Sequence, residues 1–200
     1  MLGRTHVAMG VATALALTMP HTVSGCLGAV AGGAIGGWIS DIDVREAGRA
    51  HDVWQGAVMA TGIGIAALAV DAYRGGDAYA YVVAHLGLQT ASALAALFVL
   101  CVVGARSSHR GFTHSLVGLA LFSLATAALC APIALAFAAG FASHIVLDLL
   151  NYQRVRVLYP SGKGFSLDIC RSSGAINSFL LWLGITTSCG LILWLMMPVS

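Results

Sequence analysis

The stretch LVGLALFSLATAALCAPIALAFAAGFASHIVLDLL occupies residues 116–150 and contains one formally charged side chain, that of Asp148. A membrane-spanning helix needs about 20 predominantly apolar residues, so the stretch is long enough for two. Pro132, near its middle, has no backbone N–H to donate and favours a tight turn there. The sequence therefore predicts a helical membrane hairpin with one span at 112–131 and the next at 132–150.

The composition of the whole chain agrees with that prediction. Charged residues make up 9% of the sequence and hydrophobic residues 58%, and the mean hydropathy is +0.88, whereas soluble domains carry about 25% charged residues. The chain is therefore expected to fold in lipid as one transmembrane helical domain, residues 1–200. A net charge of +2 gives no reason to expect a nucleic acid partner. The five cysteines form no Cys-x-x-Cys pair, and the four that lie in apolar stretches are expected to be small buried hydrophobic residues.

Five further apolar stretches complete an all-α, polytopic transmembrane helix bundle of about seven spans. They lie at about 6–20, 23–40, 55–72, 79–104 and 175–198. The first is short and ends at Pro20. The second carries Gly28, Gly32 and Gly36, a spacing that lets helix backbones approach closely. We expect these glycines to pack helices within one monomer; dimerisation is the alternative, and the sequence leaves the oligomeric state open.

The positive charges distinguish the two sides of this bundle. With seven spans, the N-terminus and the connections 41–54, 105–111 and 151–174 lie on one side, and the connection 73–78 lies on the other. Nine of the ten Lys and Arg residues fall on the first side: Arg4, Arg45, Arg49, Arg106, Arg110, Arg154, Arg156, Lys163 and Arg171. Arg74 falls on the other side. Because cytoplasmic loops are enriched in Lys and Arg, the first side is predicted to be cytoplasmic.

The motif HRGFTHS, residues 109–115, lies at the junction of a connection and the fifth span. Gly111 allows a bend that turns His109 back towards His114. The free N–H groups at the start of the following helix suit a phosphate or another oxyanion, and Arg110 can grip the same group with two N–H donors. The alternative is a wet interfacial turn in which Arg110 reaches the lipid headgroups.

The motif SHIVLDLLN, residues 143–151, ends the sixth span. His144 and Asp148 are four residues apart and therefore share one helix face. Such a pair suits a metal ion, and it equally suits a His–Asp hydrogen bond that ties two helices together. His6 opens the first span on the same side of the bundle.

Polar residues of several segments are expected to meet on this side. An acidic pair, Asp41 and Asp43, closes the second span, and its carboxylates repel each other unless a cation compensates. The pair could bind a metal ion, or it could cap the membrane interface together with Arg45. The full set of candidate ligands is His6, Asp41, Asp43, His109, His114, His144 and Asp148. Such a set fits one to three divalent ions, with zinc the expected metal. His51 is a reserve ligand, whereas His21 and His85 fall near the opposite side.

Together these motifs resemble those of the YdjM-type inner-membrane metal-dependent hydrolases. The resemblance runs from Thr5 to about Pro160 and is carried by TH, DID, HRGFTHS, SHIVLDLLN and LYP. The ligand order of that family is similar to that of zinc-dependent phospholipase C and the related single-strand nucleases. The resemblance implies Arg110 as a contact for a substrate anion, and it implies as metal ligands His6, Asp41 or Asp43, His109, His114, His144 and Asp148. The chain departs from the family at Asn177, where an acidic residue is frequent, which weakens a third-metal or general-base role there.

The expected function is metal-dependent hydrolysis of a membrane lipid ester, in particular a phospholipid or lipid phosphoester, at the cytoplasmic face of a bacterial inner membrane. Asp41 or Asp43 could act as a base instead of a ligand, and Arg110 would stabilise developing negative charge. One alternative is a proton-coupled transporter, since intramembrane His and Asp residues also form proton relays. Another is a metal-stabilised scaffold without turnover. Residues 152–172 would either cover the site while resting on anionic headgroups or form an ordinary interfacial loop.

Overall fold

The computed structural model describes residues 1–44 and 50–197. The long regular elements in these ranges are all α-helices, as predicted. Their bounds are α1 Gly3–Thr18, α2 Val23–Ile39, α3 Ala50–Tyr73, α4 Asp77–Ala84, α5 Leu88–Arg106, α6 Leu116–Leu149 and α7 Ala175–Leu195. Short 3₁₀ turns at Ser40–Asp43 and Phe112–His114 follow α2 and precede α6. Arg45 and Arg49, which contribute to the predicted sidedness, lie outside the described residues.

Helix α6 is folded back on itself near its middle. Cys130, two residues before Pro132, has non-helical backbone angles of φ −154° and ψ 85°. The rings of Phe122 and Phe141 lie 5.9 Å apart, whereas a straight helix with a rise of 1.5 Å per residue would separate them by about 28 Å. The two arms of α6 are therefore antiparallel, and the predicted turn near Pro132 is confirmed.

The stretch expected to form one span at 79–104 is instead divided between two helices. α4 ends at Ala84, and α5 begins at Leu88. Between them Gly87 has φ 135°, a backbone conformation that favours glycine and cannot continue a helix. The prediction of a continuous span was wrong because the composition of this stretch does not distinguish a glycine inside a helix from a glycine at a break.

Five helical segments within the described residues are long and apolar enough to cross a membrane. They are Val23–Asp43, His51–Tyr73, Leu88–Arg106, Leu116–Leu149 and Ala175–Leu195. Helix α1 has 16 residues and is therefore about 24 Å long, shorter than a hydrocarbon core of about 30 Å. The total of seven crossings depends on α1 and on the two arms of α6, and it stays a prediction.

Helix α2 packs against α1 on one face and α6 on another because its glycines leave room for both. A Cβ atom on Gly36 would lie 2.1 Å from the carbonyl oxygen of Phe137 in α6. One on Gly37 would lie 2.6 Å from the carbonyl oxygen of His6 in α1. A larger residue at either position would push the helices apart. The glycines thus pack helices within one monomer, as expected, and bring the start of α1 close to the end of α6.

Candidate metal centre

Five buried His and Asp residues meet at one end of the bundle. Each is less than one tenth exposed, and they are His6, Asp41, His114, His144 and Asp148. They come from the start of α1, the 3₁₀ turn after α2, the 3₁₀ turn before α6 and the last turns of α6. Four separate segments therefore converge at the end where the sequence predicted a polar site. We refer to these five residues as the His/Asp cluster.

Asp41, His114 and His144 form the first group of potential ligands. The Nε2 atoms of His114 and His144 are 3.2 Å apart. Asp41 Oδ1 lies 3.6 Å from His144 Nε2 and 4.0 Å from His114 Nε2. A triangle of atoms with these sides has a centre about 2.1 Å from each corner, which is the usual length of zinc–nitrogen and zinc–oxygen bonds. The spacing therefore fits a single divalent ion.

His6, His144 and Asp148 form a second group, in which the potential ligand atoms all lie within 4.8 Å of one another. His6 Nε2 is 3.3 Å from Asp148 Oδ1, and the stacked rings of His6 and His144 have centroids 3.7 Å apart. The other oxygen of Asp148 lies 3.4 Å from His114 Nε2. The two groups share His144, and Asp148 lies close to residues of both, so these five residues would be the ones to hold one or two divalent ions.

The partners behind two imidazole rings determine which nitrogen atoms face the cluster. His144 Nδ1 lies 2.7 Å from the carbonyl oxygen of Gly37, which can only accept, so this nitrogen carries the proton. His114 Nδ1 lies 3.3 Å from the carboxylate of Asp43 and is assigned a proton for the same reason. The Nε2 atoms of the two rings therefore face each other, and this arrangement requires a proton or a metal ion between them.

Asp43 contacts the Nδ1 side of the His114 ring, whereas the carboxylates of the cluster lie on its Nε2 side. Its carboxylate accepts hydrogen bonds from Thr113 Oγ1 at 2.7 Å and from the backbone N–H of Arg110 at 3.0 Å. It also lies 2.8 Å from His109 Nδ1. These partners and the imidazole described above occupy both carboxylate oxygens. The two acidic residues of the DID motif thus have different positions, because Asp41 faces the cluster and Asp43 orients one of its histidines.

The structure brings five of the seven expected ligands together and leaves two outside. Asp43 and His109 belong to neither group of atoms that could hold an ion. The chain bends at Arg110, whose φ is 58°, and the ring of His109 meets that of His114 edge-on, with centroids 5.6 Å apart. One motif therefore supplies a potential ligand and a supporting residue, a distinction that residue spacing does not contain.

Arg110 is buried beside the cluster and offsets part of its negative charge. Its Nη2 lies 3.0 Å from Asp148 Oδ2, and its Nη1 donates to the carbonyl oxygen of Gln153 at 2.6 Å. The amino group of Met1 and the side-chain amide of Asn151 bond to the other oxygen of Asp148, at 2.9 and 3.0 Å. The Nε atom of Arg110 is buried and has no hydrogen-bond partner among the described residues. A buried cationic N–H without an acceptor is unfavourable, so this position suits an anion or an ordered water.

The charge balance favours a proton on His114, which lies in the turn that precedes α6. Burial alone would lower the pKa of this imidazole, but hydrogen bonds to Asp148 and Asp43 outweigh burial and raise its pKa to about 9. In the absence of metal this residue therefore holds a proton at neutral pH. Binding of a divalent ion through its Nε2 atom requires release of that proton.

An open cavity of about 470 Å³ adjoins the cluster. Asp41 belongs to both, so the cavity leads to the potential ligands. The rest of its wall is formed by the first two residues of the chain, by Val44, by residues 52–53, and by residues 151–153 and 170–173. This lining combines apolar side chains with charged ones, among them Arg171, and suits the polar part of a small amphiphile.

Sequence reasoning missed the residues that anchor α1 beside the cluster. The N–H of Leu2 donates to Asn177 Oδ1 at 3.0 Å, and the N–H of Gly3 donates to Asp52 Oδ2 at 3.1 Å. The first N–H groups of a helix need acceptors, and the sequence offered only a weak signal for them, polar residues near the starts of α3 and α7. Asn177, which stands where the family frequently has an acidic residue, has this anchoring role in the structure.

The remaining histidines lie outside the cluster. His51 is in the first turn of α3 instead of the expected loop; it is exposed, and its Nε2 lies 2.9 Å from Gln55 Nε2. His21 lies between α1 and α2, and His85 lies between α4 and α5, both towards the opposite end, as predicted. The ring of His85 stacks on Tyr81 with centroids 4.1 Å apart.

Residues 151–174 fold over this end of the bundle. The N–H of Arg156 donates to the carbonyl oxygen of Arg110 at 3.0 Å, and the N–H of Leu116 donates to that of Val157 at 3.0 Å. The segment is therefore joined to the turn that carries the HRGFTHS motif. The two roles expected for it, a cover over the site that rests on anionic headgroups and an ordinary interfacial loop, both stay predictions.

Fold and site together define a polytopic helical membrane protein with a buried His/Asp cluster that could hold divalent metal ions. The chain matches the model of a family described as YdjM inner membrane protein over residues 1–199. It therefore belongs to the YdjM inner membrane protein family, in agreement with its motifs. The same comparisons found no match among curated proteins and none among solved structures.

Proposed function

We propose that this protein is a metal-dependent hydrolase that cleaves a lipid ester, in particular a lipid phosphoester, at the cytoplasmic face of the inner membrane. One observation carries the proposal. The Nε2 atoms of His114 and His144 face each other at 3.2 Å, with the carboxylates of Asp41 and Asp148 beside them. Without metal, a proton on His114 joins these groups by hydrogen bonds. Two imidazoles and two carboxylates that converge on one buried centre are also the arrangement of metal ligands, and a divalent ion would take the place of that proton.

The donor set of three imidazoles and two carboxylates matches those that hold zinc in catalytic sites. A divalent ion bound there would supply a Lewis acid and a bound water with a pKa of about 7. Asp41 lines both the cluster and the cavity, so it is the residue that can meet an incoming substrate. Its carboxylate is placed to act as a ligand or as a base towards water.

Arg110 supports a substrate that carries negative charge. The residue is 4% exposed, its guanidinium lies 3.0 Å from Asp148, and its Nε atom has no hydrogen-bond partner among the described residues. A fixed cation in a water-poor site stabilises charge that develops during ester cleavage. The planar guanidinium also matches the geometry of a phosphate, which favours phosphoesters over other esters.

The position of the cavity favours a lipid over a soluble substrate. Residues 151–153 and 170–173, which form part of its wall, lie just after α6 and just before α7, two helices able to cross a membrane. The polar headgroups of a bilayer lie at the ends of spanning helices. A lipid ester could therefore reach Asp41 while its acyl chains remain in the membrane.

The test is metal analysis of the purified protein, followed by turnover assays on phospholipids and lipid phosphates in vesicles. Arg110→Ala is expected to keep its metal and to lose about 100-fold in turnover of phosphorylated lipids, the usual effect of removing one oxyanion contact. Arg106→Ala, an exposed arginine on the same side, is the matched control and should retain turnover. Unchanged turnover in Arg110→Ala would discount the anion contact.

The three functional classes give different results in this test. Bound metal with lipid cleavage supports the hydrolase, and bound metal without cleavage points to a scaffold. Neither metal nor cleavage, together with solute flux in proteoliposomes, points to a transporter. The cluster lies at one end of the bundle, whereas transporter sites lie near the bilayer midplane, and this difference favours the enzyme.

A further inference from the structure

We propose that the connection between α6 and α7 carries a membrane-binding surface, here called the apolar row, formed by Phe165, Leu167 and Ile169. This row inserts among the acyl chains of the leaflet on the side of the His/Asp cluster. The basic residues around it contact anionic lipid phosphates. The proposal does not depend on the enzymatic activity proposed above.

The apolar row consists of large side chains that the protein leaves uncovered. Phe165 is 47% exposed, Leu167 61% and Ile169 56%, at alternate positions of a stretch whose backbone bends at Asp168, with φ 52°. Cys170, the next residue, is buried. Contiguous apolar side chains outside a protein core mark a surface that contacts another phase or partner.

The backbone of this stretch is held in place, so the row cannot turn inward. Phe165 exchanges both backbone hydrogen bonds with Val155, at 2.8 and 2.9 Å. The N–H groups of Leu167 and Ile169 donate to carbonyl groups at the end of α6, at 2.7 and 3.0 Å. These bonds satisfy carbonyl groups that the end of a helix leaves without partners. The row is therefore attached to the helix that supplies two of the cluster residues.

The apolar row is close in sequence to the start of a helix that can cross the membrane, and it therefore lies near the membrane surface. Helix α7 begins at Ala175, a few residues after Ile169, and such a length of chain spans at most about 20 Å. In its first turns α7 exposes Phe179 and Trp182, side chains suited to lipid and to the membrane interface. The row thus lies close to the start of a helix whose own outer face is apolar.

The charges around the row complement an anionic bilayer surface. The connection between α6 and α7 has one acidic residue, Asp168, and four exposed basic residues: Arg154, Arg156, Lys163 and Arg171. Basic residues beside a membrane are attracted to anionic lipids, and inserted apolar side chains add to the attraction. A bilayer surface provides both kinds of contact at the same depth, which favours it over a protein partner.

Insertion of the row would also fix the depth of the cavity beside Asp41 relative to the bilayer surface. Residues 152–153 and 170–171 of the same connection form part of the cavity wall. With the row in the leaflet, the cavity opens among lipid headgroups and not into bulk water.

The test uses nitroxide spin labels, one at a time, in the full chain with its five cysteines replaced, reconstituted in nanodiscs that contain phosphatidylglycerol. Labels at Phe165, Leu167 and Ile169 are compared with a lipid reference at Phe179 and a water reference at Ser108, both exposed. Collisions with oxygen report lipid, and collisions with a neutral nickel chelate report water. We expect the ratio of oxygen to nickel collisions in the row to match that at Phe179 and to exceed that at Ser108 severalfold.

Two results would overturn the proposal. Labels in the row that match Ser108 would place the row in water. Labels shielded from both reagents, with spin–spin broadening, would show that a second copy of the chain covers the row. Because every labelled position is exposed, the labels leave the buried packing unchanged, and the Phe179 reference checks correct insertion.

A second measurement tests the contribution of the cations. The double variant Arg156→Gln, Lys163→Gln is expected to shift the label at Leu167 towards water in phosphatidylglycerol nanodiscs. Arg74→Gln, an exposed arginine at the other end of the bundle, is the matched control and should leave the label unchanged. An unaltered collision ratio in the double variant would contradict the electrostatic part of the proposal.

Discussion

Two buried carboxylates, one towards each end of the bundle, have different partners. Asp71 is 1% exposed and accepts hydrogen bonds from the hydroxyl of Ser24 and from the backbone N–H of Tyr79, the latter at 3.0 Å. Asp148 is 2% exposed and lies 3.3 and 3.4 Å from imidazole nitrogens of His6 and His114. The two carboxylates are almost equally buried, so burial does not distinguish a structural carboxylate from one in a potential metal site.

The groups that contact each carboxylate determine its role. Asp71 is satisfied by a hydroxyl and by the N-terminus of α4, which are fixed donors, and it ties α2, α3 and α4 together. Asp148 faces nitrogen atoms that can carry a proton or bind a metal ion, so its surroundings change with what occupies the cluster. A buried carboxylate therefore indicates a site when its neighbours are groups that exchange a proton for a metal ion.

Neutralising each carboxylate by substitution with Asn should give the largest difference in zinc affinity between the two variants. Asp148→Asn is expected to weaken zinc binding by more than about 100-fold, because even residues that only support metal ligands contribute 10–100-fold. His144→Ala should show a loss of the same size. Zinc affinity is measured by competition with a chromophoric chelator.

The control for this comparison is Asp71→Asn, which should keep its zinc affinity and lose thermal stability. Unchanged zinc binding in both Asp148→Asn and His144→Ala would remove these residues from the ligand set. A parallel loss of zinc in Asp71→Asn would show that the assay reports unfolding instead of ligation.

A second variant tests the supporting role of Asp43. Asp43→Asn is expected to weaken zinc binding by about 10–100-fold, because its carboxylate orients the His114 ring and does not face the centre. His109→Ala removes another partner of the same carboxylate and should have a smaller effect. A loss in Asp43→Asn as large as that in Asp148→Asn would make Asp43 a ligand after all.

The glycine contacts of α2 offer a third way to disturb the cluster end of the bundle. Gly36→Ala places a Cβ atom against the backbone of Phe137 in α6 and should lower the free energy of unfolding by about 1–3 kcal/mol. Gly62→Ala, in a helix with open space around it, is the control and should be neutral or stabilise by about 1 kcal/mol at most. Equilibrium unfolding in mixed micelles measures both. Equal effects would mean that the close helix contact is not needed.

The pH dependence of zinc binding should show the proton that His114 holds. Its pKa is raised to about 9, so the proton is bound below that pH and lost above it. Zinc must displace it at neutral pH, and affinity should therefore rise about tenfold per pH unit from pH 7 and level off near pH 9. Calorimetry in buffers of different ionisation enthalpy counts the protons released. Binding that is independent of pH over this range would contradict the raised pKa.

The helical fold could be predicted where the signal was the length and composition of a run. The reversal near Pro132 followed from one proline in a long apolar stretch, and the close packing of α2 followed from the spacing of its glycines. The break at Gly87 did not follow, because many glycines lie within helices and only the local backbone angle distinguishes this one. Asn177 and Asp52 were also missed, since acceptors for the start of α1 come from distant segments.

The sequence by itself determined that this chain lies in a membrane and that most of its ionisable residues gather at one side. The reason is that long apolar runs leave room for charge only at their ends. Tertiary structure alone decided that Asp41 faces the cluster while Asp43 stands behind His114, and that the Nε2 atoms of His114 and His144 face each other. The spacing of residues in the sequence predicts which of them share a helix face and which end of the helix they are near. Ligand geometry depends on distances of a few ångströms between helices, and these are set by side chains and glycine contacts far apart in the chain.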